Sequence, residues 1–227
     1  MFRKDEKVKK IVLSLKTMND YKHNNNLDMS TKRNIVRICF IDDEGYPHID
    51  KLRSIGFNNV DVKYNFDKIE DYKDYDLIFC DLDGVGKHLD AIAQGLCIAE
   101  QLKDNYPNSE VFIFSGNIID EYGTLPENIK YIPKQTSIKE LAKIIDKACE
   151  DLWDPVKAWN RIHMKMLKEN IPCKMIALLE DEYVRSLECG INNFSSKKSF
   201  NLSVENIHNY VNILLTLTDI ILRVVGK

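Results

Sequence analysis

Tyr75-Asp-Leu-Ile-Phe-Cys-Asp81-Leu-Asp83-Gly84 decides the fold. An apolar run, Leu77 to Cys80, stops abruptly at an aspartate. Acidic residues are poor strand formers. A carboxylate that closes a buried strand therefore belongs at the C-terminal edge of a sheet, where open α/β sheets bind ligands. Taken alone, Asp81 could equally cap the next turn. The strands around it decide between the two.

Upstream, Ile35-Val-Arg-Ile-Cys-Phe-Ile41 reads as a strand ended by Asp42-Asp43-Glu44-Gly45. Pro47 to Ile55 reads as a helix closed by Gly56, Val60 to Lys63 as a second strand, and Phe66 to Tyr72 as a weak helix. Downstream of the third strand, Leu89 to Tyr106 carries Ile92, Leu96, Ala99 and Leu102 on one helical face and ends at Pro107-Asn108. Val111 to Phe114 is a fourth strand followed by Ser115-Gly116. Lys130 to Lys134 is a short fifth, and Thr136 or Ser137 caps a helix through Cys149. Five strands alternating with helices give a parallel, doubly wound sheet joined by right-handed crossovers. This domain spans residues 34–152.

Residues 1–33 read as an N-terminal helix and a linker: Val8, Ile11, Val12, Leu15 and Met18 have helical spacing, and 24–34 lacks apolar periodicity. Residues 153–227 read as a small all-α region. Asp154-Pro155 starts one helix, running to about Asn170. Pro172 starts the next, which ends at Gly190, and Ser203 caps a third reaching Gly226. The last helix is apolar on two faces, Val211, Leu214, Leu215, Thr218, Leu222 and Val225 on one and Ile213, Leu217, Ile220 and Val224 on the other. Such a helix is buried on most sides, either at the centre of the small domain or in a homodimer.

Composition narrows the function classes. Apolar content of 44% and charged content of 30% are those of a soluble globular protein. No apolar run approaches the roughly 20 residues of a membrane span, and the N-terminus does not read as a secretory signal. The six cysteines include no CxxC pair. They read as reduced thiols in a cytoplasmic protein rather than as a zinc site or disulfide frame. Residues 34–152 hold 13 Lys/Arg against 23 Asp/Glu, a balance that argues against gripping nucleic acid and is compatible with a cation site. Residues 153–227 hold ten basic residues against eight acidic ones, which is no DNA footprint either.

Strand one ends in Asp42 and Asp43, strand three in Asp81, strand four in Ser115 and strand five in Lys134. In a parallel sheet these ends share one edge. Three carboxylates gathered there repel one another unless a cation joins them. Carboxylates with a backbone carbonyl and water suit Mg²⁺. Beside such a cation an aspartate can act as a nucleophile toward phosphorus, with an ammonium group neutralising the phosphoryl oxygens.

In this order the residues resemble the receiver domain of two-component response regulators, a flavodoxin-like fold. The resemblance covers about residues 34–150. It implies that Asp42 and Asp43 are the metal-binding pair, that Asp81 is the phospho-acceptor and that the backbone carbonyl of Asp83 also binds Mg²⁺. It further implies that Ser115 and Lys134 contact the phosphoryl group, that Tyr131 is the switch aromatic and that Gly95-Leu96 begins the family's third helix. A histidine kinase or phosphotransfer protein is then the donor, a protein effector the output partner, and no enzymatic activity is expected beyond slow self-dephosphorylation. The sequence departs from the family in three places. The Asp81–Gly95 loop is longer by about six residues, Gln135 stands where the family has proline, and Ser115 to Tyr131 is short for a full helix.

Asp81-Leu-Asp83-Gly84-Val85 also resembles the nucleophile motif of haloacid-dehalogenase-type phosphatases. That family's last acidic pair follows the lysine on a further strand. Here the acidic cluster after Lys134, Glu180-Asp181-Glu182, falls within a helical pattern, whereas the acidic pair precedes Asp81. Motif order therefore favours the receiver. A third reading is a receiver-like interaction module that is never phosphorylated. Competent residues at all five functional positions argue against it.

Overall fold

A computed structural model describes residues 15–22, 28–89, 93–116, 125–126, 129–191 and 207–225. The chain divides into two compact units, Asp28–Leu152 and Met1–Leu27 with Trp153–Lys227.

In the first unit, β1 (Arg37–Ile41), β2 (Asn59–Lys63), β3 (Leu77–Cys80), β4 (Glu110–Ser115) and β5 (Lys130–Pro133) form one sheet. All pairs are parallel and the order is β2-β1-β3-β4-β5. That is the doubly wound flavodoxin-like order, with its switch point between β1 and β3. The helices are α1 (Met29–Ile35), α2 (Ile49–Ser54), α3 (Gln94–Asn105) and α4 (Ile138–Leu152). A 3₁₀ turn at Ile69–Tyr72 replaces the weak helix expected over 66–72. Leu89 lies ahead of α3, and the helical reading of residues 90–92 falls outside the described residues.

Side-chain alternation along the strands divides the core. One face carries Cys39, Ile41, Ile78, Cys80, Val111 and Ile113, packed against Ile98, Ala99 and Leu102 of α3. The other face carries an aromatic ladder. Phe40, Phe79 and Phe112 are register neighbours on β1, β3 and β4, stacked at 4.7 and 4.9 Å between ring centroids. Each such pair adds about 0.5–1.5 kcal/mol beyond area burial. Cys39 and Cys80 are fully buried strand residues, and all six cysteines are free thiols. Burial pushes the Cys39 thiol up to about 12, so it stays protonated and inert.

Residues 29–35, expected within the linker, form α1. Its N-cap is Asp28, whose carboxylate accepts from the Ser30 and Thr31 amides. The helix is held by charge rather than by an apolar stripe. Arg33 makes a bidentate pair with Asp146 of α4, Nε to Oδ1 at 2.9 Å and Nη2 to Oδ2 at 2.6 Å. The same guanidinium donates to the Ile55 carbonyl at 3.0 Å and lies over the Phe57 ring. Asp146 is 8% exposed, so Arg33→Ala strands a buried carboxylate. The expected loss, read by urea unfolding, is about 1–3 kcal/mol, below the full cost of a buried pair because Arg33 is partly solvated.

At the N-terminal end of β3, burial pushes the Asp76 carboxyl up to about 6, although it accepts the Arg37 backbone N–H at 2.9 Å. A carboxyl with a raised folded-state pKa contributes its stability below the ordinary carboxylate range and loses it as pH rises through the raised value. The advantage of Asp76→Asn over wild type should therefore grow by about 1–2 kcal/mol from pH ~4 to ~8, measured by denaturant midpoints.

The second unit contains α5 (Pro155–Lys168), α6 (Cys173–Cys189) and α7 (Ile207–Val225). The Asp154 carboxylate caps α5 by accepting from Val156 and Lys157 N–H, both at 2.9 Å, with proline at the first position. Gly190, with φ +66, ends α6. Trp159 stacks on Tyr183 at 5.8 Å, and the Tyr183 hydroxyl donates to the Pro155 carbonyl. Residues from both apolar faces of α7 are buried, among them Val211, Leu214, Thr218 and Leu222 on one and Leu217 and Val224 on the other.

The expected N-terminal helix lies mostly outside the described residues, and in 15–22 the chain is irregular with one turn at 18–20 rather than helical. The amides of Lys16 and Met18 donate to the carboxylates of Asp181 and Glu180 on α6, at 2.7 and 2.9 Å. Among the described residues no helix is long and apolar enough to cross a membrane.

Candidate functional site

The C-terminal ends of β1, β3, β4 and β5 bring together residues far apart in sequence. Parallel pairing aligns Ile41 with Cys80 and Ser115 with Pro133. The next residues, Asp42, Asp81 and Lys134, therefore emerge side by side. Carboxylate oxygens of Asp42, Asp43 and Asp81 lie within 4.8 Å of one another. Asp42 and Asp81 are 3% and 6% exposed, while Asp43 is open to solvent.

The Lys134 ammonium donates to Asp42 Oδ2 at 2.7 Å and to Asp81 Oδ2 at 2.6 Å. It bridges the two buried carboxylates and offsets part of their charge. Burial raises the Asp81 carboxyl, Lys134 opposes that rise through hydrogen bond and charge, and the neighbouring Asp42 charge adds to it, leaving the group above its ordinary value. Burial works against the Lys134 ammonium, but its bonds to Asp42 and Asp81 prevail and its pKa is raised. Asp81 Oδ1 accepts the Leu82 N–H at 2.8 Å, so one oxygen is fixed by backbone and the other by the lysine. Asp42 is likewise held, accepting the Glu44 N–H at 3.0 Å.

Two glycines let the cluster close up. Gly84 has φ +84, and a Cβ there would sit 2.1–2.3 Å from the Asp43 carboxylate atoms. Gly95, second residue of α3, lies against Asp81 itself, where a Cβ would meet the Asp81 carbonyl oxygen at 1.7 Å. The Gly95 N–H donates to the Leu82 carbonyl at 3.0 Å. The loop between them is pinned by Val85, which is fully buried.

Ser115 ends β4 and is 1% exposed. Its carbonyl accepts the Lys134 N–H at 2.9 Å and the Tyr131 hydroxyl at 3.1 Å. Asp83 lies two residues beyond Asp81 and is half-buried. All the strand-end residues singled out from sequence thus lie at one sheet edge, with Asp42, Asp43, Asp81 and Lys134 in mutual reach. Gln94, which donates nothing to the apolar pattern, was not among them. Its side chain accepts the Gly84 N–H at 2.9 Å.

The five-stranded parallel sheet in the order β2-β1-β3-β4-β5 is the flavodoxin-like fold of receiver domains.

Solved receiver structures are similar to this chain. A CheY-like receiver domain protein from Methanospirillum hungatei is 14% identical with a TM-score of 0.39, covering 52% of this chain and 95% of that one. A receiver domain protein from Clostridium thermocellum is 20% identical with a TM-score of 0.37, covering 51% and 95%. Full-length FixJ from B. japonicum is 14% identical with a TM-score of 0.40, covering 82% and 91%. No protein-family profile matches the chain. No curated protein matches it either. In this unit an all-oxygen donor set of three carboxylates fits Mg²⁺.

Proposed function

We propose that this chain is a phospho-acceptor switch. Asp81 receives a phosphoryl group from a histidine kinase or phosphotransfer protein, and the helical residues 153–227 pass the change to a protein effector. The observation that carries this reading is the cluster of two buried carboxylates bridged by a single ammonium group, with a third, exposed carboxylate beside them. Asp42, Asp43, Asp81 and the Asp83 carbonyl would hold Mg²⁺, which supplies charge neutralisation for the phosphoryl oxygens.

Asp81 Oδ2 forms the new bond to phosphorus while the phosphorus–nitrogen bond of the donor phosphohistidine breaks, its electron pair returning to the imidazole. Asp81 Oδ1 stays on the Leu82 amide, which keeps the nucleophile's orientation. Lys134 is already within bonding distance of Oδ2 and can follow the charge onto the phosphoryl group. Ser115, at the same sheet edge, would hydrogen-bond a phosphoryl oxygen. Because its carbonyl holds the Tyr131 hydroxyl, a shift of Ser115 moves Tyr131 and biases the surface of β4 and β5. Such a switch is a population shift driven by charge-assisted contacts. The helical unit's acids support the receiver over the phosphatase reading, since Glu180 and Asp181 are occupied by the amides of Met18 and Lys16.

Turnover tests this reading. With Mg²⁺ and excess small-molecule phosphomonoester, the protein should release no more than about one equivalent of phosphate within minutes. Sustained linear release abolished by Asp81→Asn would mean a phosphatase instead.

A further inference from the structure

The loop that follows the phospho-acceptor is built around a residue that no apolar pattern explains. Gln94 has φ +39, a left-handed conformation that non-glycine residues seldom adopt. It is the first residue of α3, immediately before the glycine jammed against Asp81. Its side-chain oxygen accepts the Gly84 N–H at 2.9 Å, ten residues back along the chain.

That hydrogen bond fixes more than one atom. The Gly84 N–H and the Asp83 carbonyl belong to the same peptide unit, which is planar and trans with the two groups opposed. A donor aimed at Gln94 therefore turns the Asp83 carbonyl away from Gln94. The same unit also meets Asp43, since the Gly84 Cα lies so close that a Cβ would fall 2.1 Å from Asp43 Oδ2. The peptide is thus bonded to the Gln94 amide while its Gly84 end lies against the acidic cluster.

We infer that Gln94 is a positioning residue for the cation site: its side chain sets the rotation of the Asp83–Gly84 peptide so that the Asp83 carbonyl faces the ion held by Asp42, Asp43 and Asp81. The inference rests on the receiver reading of that cluster. Backbone strain at Gln94 is retained because its side chain must start from that point of α3 to reach Gly84. Partners that orient ligands of a metal typically change its affinity by about 10–100-fold when removed.

Three variants test this in the full chain, with Mg²⁺ titrated by calorimetry and phosphorylation followed against Mg²⁺ concentration. Gln94→Met keeps the bulk and loses the acceptor. Gln94→Gly loses the acceptor and relieves the backbone. Gln94→Glu keeps an acceptor oxygen. The first two should weaken Mg²⁺ binding about tenfold and raise the Mg²⁺ concentration for half-maximal phosphorylation equally, with the plateau rate unchanged. Gln94→Glu should bind Mg²⁺ at least as tightly as wild type. Gln94→Gly should melt no lower than Gln94→Met, which separates cation positioning from loss of fold. Wild-type Mg²⁺ affinity in both Gln94→Met and Gln94→Gly, with phosphorylation intact, would overturn the role of Gln94 alone. A wild-type protein that binds no Mg²⁺ would overturn that role together with the receiver reading.

Discussion

Gly95→Ala should destabilise the sheet-containing unit by about 1–3 kcal/mol or more and lower its affinity for Mg²⁺. The sign is what makes the substitution informative. In an unobstructed helix, exchanging glycine for alanine gains about 1 kcal/mol. Here the added methyl would lie 1.7 Å from the Asp81 carbonyl oxygen and 2.8 Å from its carbonyl carbon. Neither atom is the end of a flexible side chain. Relief requires moving α3 or the peptide that follows Asp81, and overpacking of this kind costs about 1–3 kcal/mol or more. The Gly95 N–H bond to Leu82 and the Cys80 thiol's contact with the Gly95 carbonyl move with it. Urea unfolding gives the stability and calorimetry the Mg²⁺ affinity. A variant as stable as wild type would mean that α3 does not approach Asp81 as described.

Lys134→Met has its largest effect when divalent cations are absent. It leaves Asp42 and Asp81, both nearly inaccessible, with no cation between them. Removing one partner of a buried pair costs 3–5 kcal/mol. The lysine is itself 27% exposed, so about 2–3 kcal/mol is expected in chelator at neutral pH. Two conditions should recover it. Saturating Mg²⁺ restores most of the loss by binding only the folded state. Acid does the same: the Asp81 carboxyl is already raised by burial, and without Lys134 it rises further, so the variant's deficit shrinks as pH falls through that raised value. An equal deficit in chelator and in Mg²⁺ would place the lysine outside the cation site.

The sheet and its edge were legible because their signals are local. β1 and β3 are short apolar runs, and β1, β3 and β5 each stop at a residue a buried strand cannot continue, Asp42, Asp81 and Lys134. The alternation with helices supplied the parallel pairing, and parallel pairing supplied the convergence. What escaped the sequence depends on contacts across long separations. Helix α1 has no apolar stripe, and its anchor is an ion pair between Arg33 and Asp146. Only Asp28, a helix-capping residue followed by Ser30 and Thr31, marked its start. The 3₁₀ turn at Ile69–Tyr72 is held from afar, the Tyr106 hydroxyl donating to the Ile69 carbonyl at 2.8 Å. Gln94 left no trace at all, since a glutamine ahead of a glycine fits any helix start. The closeness of Gly84 to Asp43 was equally hidden, because φ +84 is visible only in the folded chain.

Intact-protein mass after incubation with a small phosphodonor and Mg²⁺, for wild type and Asp81→Asn side by side, tests the central claim most directly. The account predicts one added phosphoryl group on wild type, dependent on Mg²⁺, and none on Asp81→Asn. An unmodified wild-type protein, or an adduct that survives in Asp81→Asn, would contradict it.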